Sequence, residues 1–175
     1  AWLTSRLEGD EPVALADKGR GTDTLAKVGV REGTAIFTRF SKAGQGVFFY
    51  YGNENRVPTV ADVLPAGRFY HGRGAFLWMK AQKGDQVFTV GTTHFTWTPD
   101  GSTSEAQRQD LERLFEILKQ FPHIVFCGDF NAPRGGEIWG MLTSRYKDNI
   151  PIKYTASLDP NLHEVKNLPY VVDGL

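Results

Sequence analysis

The stretch Ile124-Val125-Phe126-Cys127-Gly128-Asp129-Phe130-Asn131-Ala132-Pro133 decides how this chain of 175 residues is interpreted. Its first part belongs to a short apolar run from His123 to Gly128, which predicts a fully buried β-strand. Asp129 and Asn131 follow two residues apart, so in an extended segment their side chains would point to the same side. The sequence therefore predicts a carboxylate and an amide together at the carboxyl end of a strand.

The same stretch has an ordinary structural explanation. Asp and Asn are common in Asx-type turns after strands, and Gly128 would let the backbone turn sharply there. On the residues alone, the turn is the simpler interpretation. The single cysteine, Cys127, has no partner for an internal disulfide and is predicted to be a small buried hydrophobe.

A second polar side chain stands at a predicted strand end. In Gly91-Thr92-Thr93-His94-Phe95, an apolar run reaches His94 just before the loop at 96–101. A lone histidine in such a position is commonly structural. Ligands of layered α/β proteins nevertheless gather where strand ends open into loops, so His94, Asp129 and Asn131 could converge at one edge.

Periodicity and turn residues predict the other elements. One hairpin is expected from strands 34–40 and 46–51 around the turn 41–44, and a second from strands 75–82 and 86–94 around 83–85. The aromatic run 48–51 fits packing in a sheet better than base stacking. No internal repeat or linker divides the chain, and strands with interposed helices favour one layered α/β domain.

Two helices are predicted in the second half. A capping box from Ser102 to Glu105 opens the first, which is expected to end near Gln120, before Pro122. The second, shorter helix is predicted from Glu137 to Leu142. The apolar positions of the first helix recur at helical spacing: Leu111, Leu114, Phe115 and Leu118.

Composition limits the classes of function. Twenty basic and twenty acidic residues cancel, which disfavours a broad cationic face for duplex DNA. Apolar residues make up 41% and charged residues 23%, as in soluble globular proteins. No apolar run is long enough to cross a bilayer. We expect a monomer; the compartment stays open, with the cytoplasm slightly favoured.

Six segments taken in chain order resemble the endonuclease/exonuclease/phosphatase superfamily, whose fold is that of deoxyribonuclease I, and its bacterial members in particular. The most specific segment is Gly128-Asp129-Phe130-Asn131-Ala132-Pro133, preceded by Thr93-His94-Phe95 and followed by Tyr170-Val171-Val172-Asp173. The remaining three are 32–37, 73–77 and the helix with Gln107 and Leu111. The resemblance implies a layered α/β sandwich, in which two mainly antiparallel sheets pack face to face with helices outside.

The resemblance also implies roles for individual residues. Asp129 would orient or deprotonate the attacking water, Asn131 would bind the scissile phosphate or the attacking oxygen, and His94 would stabilise the phosphoryl charge or assist the leaving group. Asp173 would orient a downstream histidine, although a chain-end cap is the alternative. Arg73 could touch a phosphate oxygen, although a solvated arginine beside a turn is the simpler explanation.

Parts of the family pattern are missing from the chain. The family's asparagine on an early strand and its glutamate, which binds Mg²⁺ or Mn²⁺, would precede the helix tail at 2–7, and a Ser-Asp-His element would follow Asp173. We therefore expect residues 1–175 to be the central part of a single domain truncated at both ends, with no metal ligand of its own, and to be inactive alone.

The predicted function of the complete protein is metal-dependent hydrolysis of a phosphoester by an activated water. A phosphodiesterase or nuclease is the first expectation. A phosphomonoesterase or lipid phosphodiesterase would use the same chemistry, and the substrate could be nucleic acid, a lipid headgroup or a small phosphate ester. A noncatalytic scaffold or binding module of the same fold is the alternative from a different class.

Overall fold

The computed structural model describes residues 34–52, 74–159 and 170–174. The predicted helix tail at 2–7 and Arg73 lie outside these ranges. The described residues form five strands and two helices. In chain order these are β1 (Ser41–Tyr51), β2 (Gly74–Lys83), β3 (Gln86–His94), α1 (Glu105–Leu118), β4 (Ile124–Asp129), α2 (Glu137–Thr143) and β5 (Asp173–Gly174).

The strands form one mixed sheet in the order β1-β2-β3-β4-β5. Strands β1, β2 and β3 are antiparallel neighbours, β3 and β4 are parallel, and β4 pairs with β5 in antiparallel fashion. Parallel neighbours need a long crossover, and here it contains α1. The β3–α1–β4 unit therefore brings the ends of β3 and β4 to the same edge of the sheet.

The second predicted hairpin is confirmed, and the first is wrong. Strands β2 and β3 pair from Lys83 and Gln86 onward, and Gly84 adopts a left-handed φ of 59° in the turn. The predicted turn at 41–44 instead belongs to β1, which runs on to Tyr51, while 34–38 have no regular structure. A register shift between Lys42 and Gly44 absorbs these turn-forming residues as an irregularity in the β1–β2 ladder.

The N-cap of helix α1 is Ser104, two residues after the predicted cap Ser102. The side chain of Ser104 accepts a hydrogen bond from the Gln107 backbone N–H at 3.1 Å, and the Gln107 carboxamide oxygen accepts one from Ser104 N–H at 3.3 Å. Ser102 instead donates its hydroxyl to Asp100 at 2.6 Å, which holds it in the preceding turn. The helix ends at Leu118, and the predicted short helix α2 is present at Glu137–Thr143.

The hydrophobic core lies between one face of the sheet and the two helices. Phe76 and Phe126 contribute to it from the sheet, and Phe130 from the segment after β4. The predicted apolar stripe of α1 faces it, with all four residues at most 2% exposed. Across the two helices, the Arg108 guanidinium binds both carboxylate oxygens of Glu137 at 2.6 and 2.9 Å.

The opposite face of the sheet corrects two predictions. Val125 is 67% exposed and Cys127 is exposed, so β4 is not fully buried and Cys127 is not a core residue. An apolar run cannot reveal whether one or both faces of its strand are covered. Among the described residues only one sheet is present. The α/β prediction is thus correct, whereas the face-to-face pair of sheets is not observed there.

Candidate functional site

His94 and Asp129 are aligned residues of the parallel strands β3 and β4. The imidazole Nε2 lies 3.7 Å from Oδ2 of the carboxylate, and the two side chains are 37% and 34% exposed. The pair is thus within reach of solvent yet fixed by the sheet beneath it. At this distance the carboxylate attracts a protonated imidazole.

Backbone hydrogen bonds hold the two strand ends together past the last strand residues. Phe95 N–H donates to Asp129 O at 2.8 Å. In return, the side-chain amide of Asn131 donates to Phe95 O at 2.7 Å. The two loops that follow β3 and β4 are therefore joined directly to each other.

Asn131 does not continue the extended strand, contrary to the sequence prediction. Its φ is 48°, in the left-handed region that Asn tolerates better than most residues. Its backbone N–H donates to Asp129 Oδ1 at 2.8 Å. This is the Asx turn that the residues alone suggested, and it places the Asn131 side chain next to Phe95 through a turn of the backbone.

Gly128 is required for a different reason from the predicted sharp turn. Its φ of 159° is close to ordinary extended backbone. A Cβ atom at this position would lie only 2.0 Å from the carbonyl oxygen of Thr93 on β3. The glycine therefore permits the close approach of β3 and β4 one residue before His94 and Asp129 face each other.

Asp173 lies beside Asp129 on the side away from His94. The two aspartates are paired residues of β4 and β5, and Asp173 is exposed. The Ser157 hydroxyl accepts hydrogen bonds from the N–H groups of Val172 and Asp173 at 3.0 and 3.3 Å, which anchors this strand end. Paired residues point to the same face of a sheet, so His94, Asp129 and Asp173 form a row across three strands.

Buried polar residues beneath this row were missed as functional candidates. The Tyr50 hydroxyl lies 3.1 Å from Thr93 Oγ1 and donates to His94 O at 3.3 Å. Tyr50 is 3% exposed, and its burial raises the pKa of its phenol above the ordinary value. Gln107 and Asp110 of α1 are also buried and were also missed. The sequence signal that could have identified them is a polar residue on the apolar side of a helix.

A metal site is not formed by the described residues. Within 34–52, 74–159 and 170–174, no three His, Cys, Asp or Glu side chains converge in a way that could hold an ion. The glutamate ligand expected outside the chain stays a prediction. Arg73, proposed to touch substrate, also lies outside the described residues.

A surface cavity of about 170 Å³ is separate from the His94–Asp129 pair. Arg134 contributes to its wall, but its guanidinium already binds Asp148 and the carbonyl oxygens of Ile150 and Tyr154. We therefore interpret Arg134 as a structural residue. The cavity is lined by Arg134, Ile152, Tyr154, Thr155, Tyr170 and Val171.

Helices that could span a membrane are absent from the described part of the chain. No protein-family model matches the sequence, and no curated protein matches it either.

Several solved structures match this fold in part. The chain is similar to endonuclease/exonuclease/phosphatase proteins. One, from Bacteroides vulgatus, is 19% identical with a TM-score of 0.46, over 67% of this chain and 43% of that one. Another, from Bacteroides thetaiotaomicron, is 13% identical with a TM-score of 0.47, over 77% and 50%.

The human Nocturnin catalytic domain with bound sulfate anion is 14% identical with a TM-score of 0.40, over 78% of this chain and 47% of that one. The chain thus spans half or less of the length of these endonuclease/exonuclease/phosphatase structures and of Nocturnin. That residues 1–175 form the central part of one domain stays a prediction. The function of the site is therefore inferred from the geometry of its own residues.

Proposed function

We propose that the His94–Asp129 pair is part of the active site of a phosphoester hydrolase that acts by direct attack of a water molecule. The observation that carries the proposal is the 3.7 Å approach of Nε2 and Oδ2 at adjoining parallel strand ends, with both side chains about one-third exposed. Hydrolysis at phosphorus depends on a positioned water and on stabilisation of charge on the phosphoryl oxygens. A carboxylate and an imidazole can supply these two functions.

Asp129 is suited to act on the water. Its Oδ1 accepts a hydrogen bond from the Asn131 backbone N–H, which fixes the rotation of the carboxylate. Its Oδ2 is directed towards His94. A carboxylate held in this way can orient a water molecule and accept its proton. His94, when protonated, would stabilise the phosphoryl oxygens or donate a proton to the leaving oxygen.

Asn131 would contribute a donor to the same group. Its side-chain amide nitrogen carries two hydrogens, of which one is directed to Phe95 O. The second could be donated to a phosphate oxygen. Binding of the substrate would then leave the bond between the two loops intact.

Three further assignments belong to the same proposal. Asp173 would orient a histidine that follows it, and Arg73 would contact a phosphate oxygen. A divalent cation, Mg²⁺ or Mn²⁺, is expected for the whole protein. The described residues do not form a ligand set for it.

The substrate class is a phosphodiester or a nucleic acid strand in the first place. A phosphomonoester or a lipid headgroup would need the same site chemistry. The chain carries no net charge, which disfavours extended contact with duplex DNA. We expect the active protein to be a monomer.

A noncatalytic scaffold is the second candidate. It is favoured by the structural hydrogen bonds of Asp129 and Asn131, which also occur in an ordinary Asx turn that joins two loops. In that case the substitution of either residue would alter stability alone.

A hydrolysis assay on the full-length protein decides between the two candidates. Bis-p-nitrophenyl phosphate, p-nitrophenyl phosphate, plasmid DNA and sphingomyelin are tested with magnesium and with a chelator. Asp129→Ala is compared with Asp85→Ala, which alters an exposed aspartate in the turn at the opposite end of β3. We expect Asp129→Ala to lower kcat/KM by about 1,000-fold or more and Asp85→Ala to leave it unchanged. Cleavage by Asp129→Ala at close to the wild-type rate would overturn the assignment of Asp129.

A further inference from the structure

Helix α1 presents two polar side chains to the interior of the protein. Gln107 is 1% exposed and Asp110 is 0% exposed. They are three residues apart, so they lie on the same side of the helix. A buried polar side chain costs stability unless it is hydrogen bonded, and the partners of these two define what they do.

The carboxamide of Gln107 binds three separate backbone segments. It donates to Thr96 O at 2.7 Å and to Asn131 O at 3.2 Å, and it accepts from Ser104 N–H at 3.3 Å. Thr96 lies two residues after His94, and Asn131 lies two residues after Asp129. One side chain therefore spans the two loops that leave the candidate site.

Asp110 holds the first of these loops a second time. The Thr96 hydroxyl donates to Asp110 Oδ2 at 2.7 Å, and Arg113 lies 3.7 Å from Asp110 Oδ1. Thr96 is thus fixed through its backbone by Gln107 and through its side chain by Asp110. The loop after β3 cannot shift towards or away from α1 without breaking both contacts.

We propose that Gln107 is a positioning residue that sets the spacing of the loops after β3 and β4, and with it the approach of His94 to Asp129. It donates its hydrogen bonds to neither side chain of the pair. Its effect passes through Thr96 O and Asn131 O, which are the two backbone oxygens that its N–H groups bind. The consequence for catalysis rests on the proposed function, whereas the effect on loop geometry does not.

Two substitutions remove the N–H donors of Gln107 while nearly keeping the size of its side chain. Gln107→Glu keeps the shape and the acceptor for Ser104 but, as a carboxylate, offers no N–H to the two carbonyl groups. Gln107→Met has a similar length without a charge and supplies the comparison if Gln107→Glu does not fold. Gln109→Glu is the matched control, because Gln109 is exposed on the same helix and, among the described residues, its side chain hydrogen bonds only to Glu105.

Amide hydrogen exchange in the full chain tests the geometric part. The reporters are the N–H groups of Phe95 and Asn131, which bind Asp129 O and Asp129 Oδ1. We expect both N–H groups to exchange about tenfold faster or more in the Gln107 variants. The N–H groups that pair β1 with β2 should exchange within about twofold of their wild-type rates. Gln109→Glu should leave all of them unchanged. Acceleration spread evenly over the sheet would overturn the proposal, since it would reflect a loss of global stability.

Steady-state kinetics of the full-length protein test the catalytic part. A residue that only positions the pair should lower kcat by about 10- to 100-fold and change KM by less than about threefold. Wild-type kcat in a variant with opened loops would overturn the positioning role. If the wild-type protein hydrolyses no phosphoester, the proposed function fails, and the exchange pattern alone then decides whether Gln107 fixes the loops.

Discussion

His94 and Asp129 face each other as paired residues of parallel strands, with 3.7 Å between Nε2 and Oδ2. They are separated by 35 positions in the chain, and helix α1 lies between them in sequence. The alignment is a property of the β3–α1–β4 crossover. Changes to the crossover, to the pairing of the strands or to the loops after them should therefore affect the pair.

Asn131 has a left-handed backbone conformation, and its side chain makes a hydrogen bond between two loops. Two substitutions distinguish the contributions of these features to stability. Asn131→Gly removes the bond to Phe95 O but tolerates the positive φ, so we expect it to lower the free energy of unfolding by about 1 kcal/mol. Asn131→Ala adds the cost of the left-handed backbone, about 1–2 kcal/mol more. Urea unfolding of both variants checks the order. Equal stability of the two would contradict the role given to the backbone.

Gly128 should tolerate no side chain. A Cβ atom 2.0 Å from Thr93 O would force β3 and β4 apart, so Gly128→Ala is expected to cost about 3 kcal/mol or more, as overpacking against fixed backbone does. Gly140→Ala is the matched control. Gly140 is an exposed helical residue with open space around its Cβ position, and alanine there should stabilise the protein by about 0.5–1 kcal/mol. Thermal unfolding measures both.

Tyr50 should make stability depend on pH in the alkaline range. Burial raises the pKa of its phenol, so the neutral form is favoured in the folded protein. This contribution is complete below the ordinary tyrosine pKa. It is lost as pH rises beyond that value, because the unfolded chain then ionises while the folded one does not.

Replacing this tyrosine by phenylalanine tests that account. Tyr50→Phe removes the hydroxyl contacts with Thr93 and His94 O, which should cost about 1 kcal/mol at neutral pH. The variant should also lose stability less steeply than wild type from about pH 9.5 to about pH 11. Chemical unfolding across this range provides the comparison. Parallel pH profiles for the two proteins would show that Tyr50 does not titrate differently on folding.

Features that depend on neighbouring residues could be predicted from the sequence. The β2–β3 hairpin follows from the short connection at 83–85 with Gly84, and the apolar stripe of α1 follows from helical periodicity. The prediction of a turn at 41–44 was wrong because pairing with β2 holds this turn-prone segment in the strand. The hydrogen bonds of the longer β1–β2 ladder outweigh the local turn propensity there.

Features that depend on contacts distant in sequence could not be predicted in this way. Whether Cys127 is buried depends on what covers each face of the sheet, which an apolar run does not specify. The alignment of His94 with Asp129 depends on the register of two strands that are not adjacent in sequence. Gln107 left one local signal, a polar residue on the apolar side of a helix, but its partners at Thr96 and Asn131 come from the tertiary fold.

A double-mutant cycle tests the central claim most directly, namely that His94 and Asp129 act on one phosphoryl group. The value of kcat/KM is measured for His94→Ala, Asp129→Ala and the double variant of the full-length protein. If the two residues act as a unit, the double variant should lie within about threefold of the less active single variant. Losses that multiply in the double variant, or full activity in either single variant, would contradict the claim.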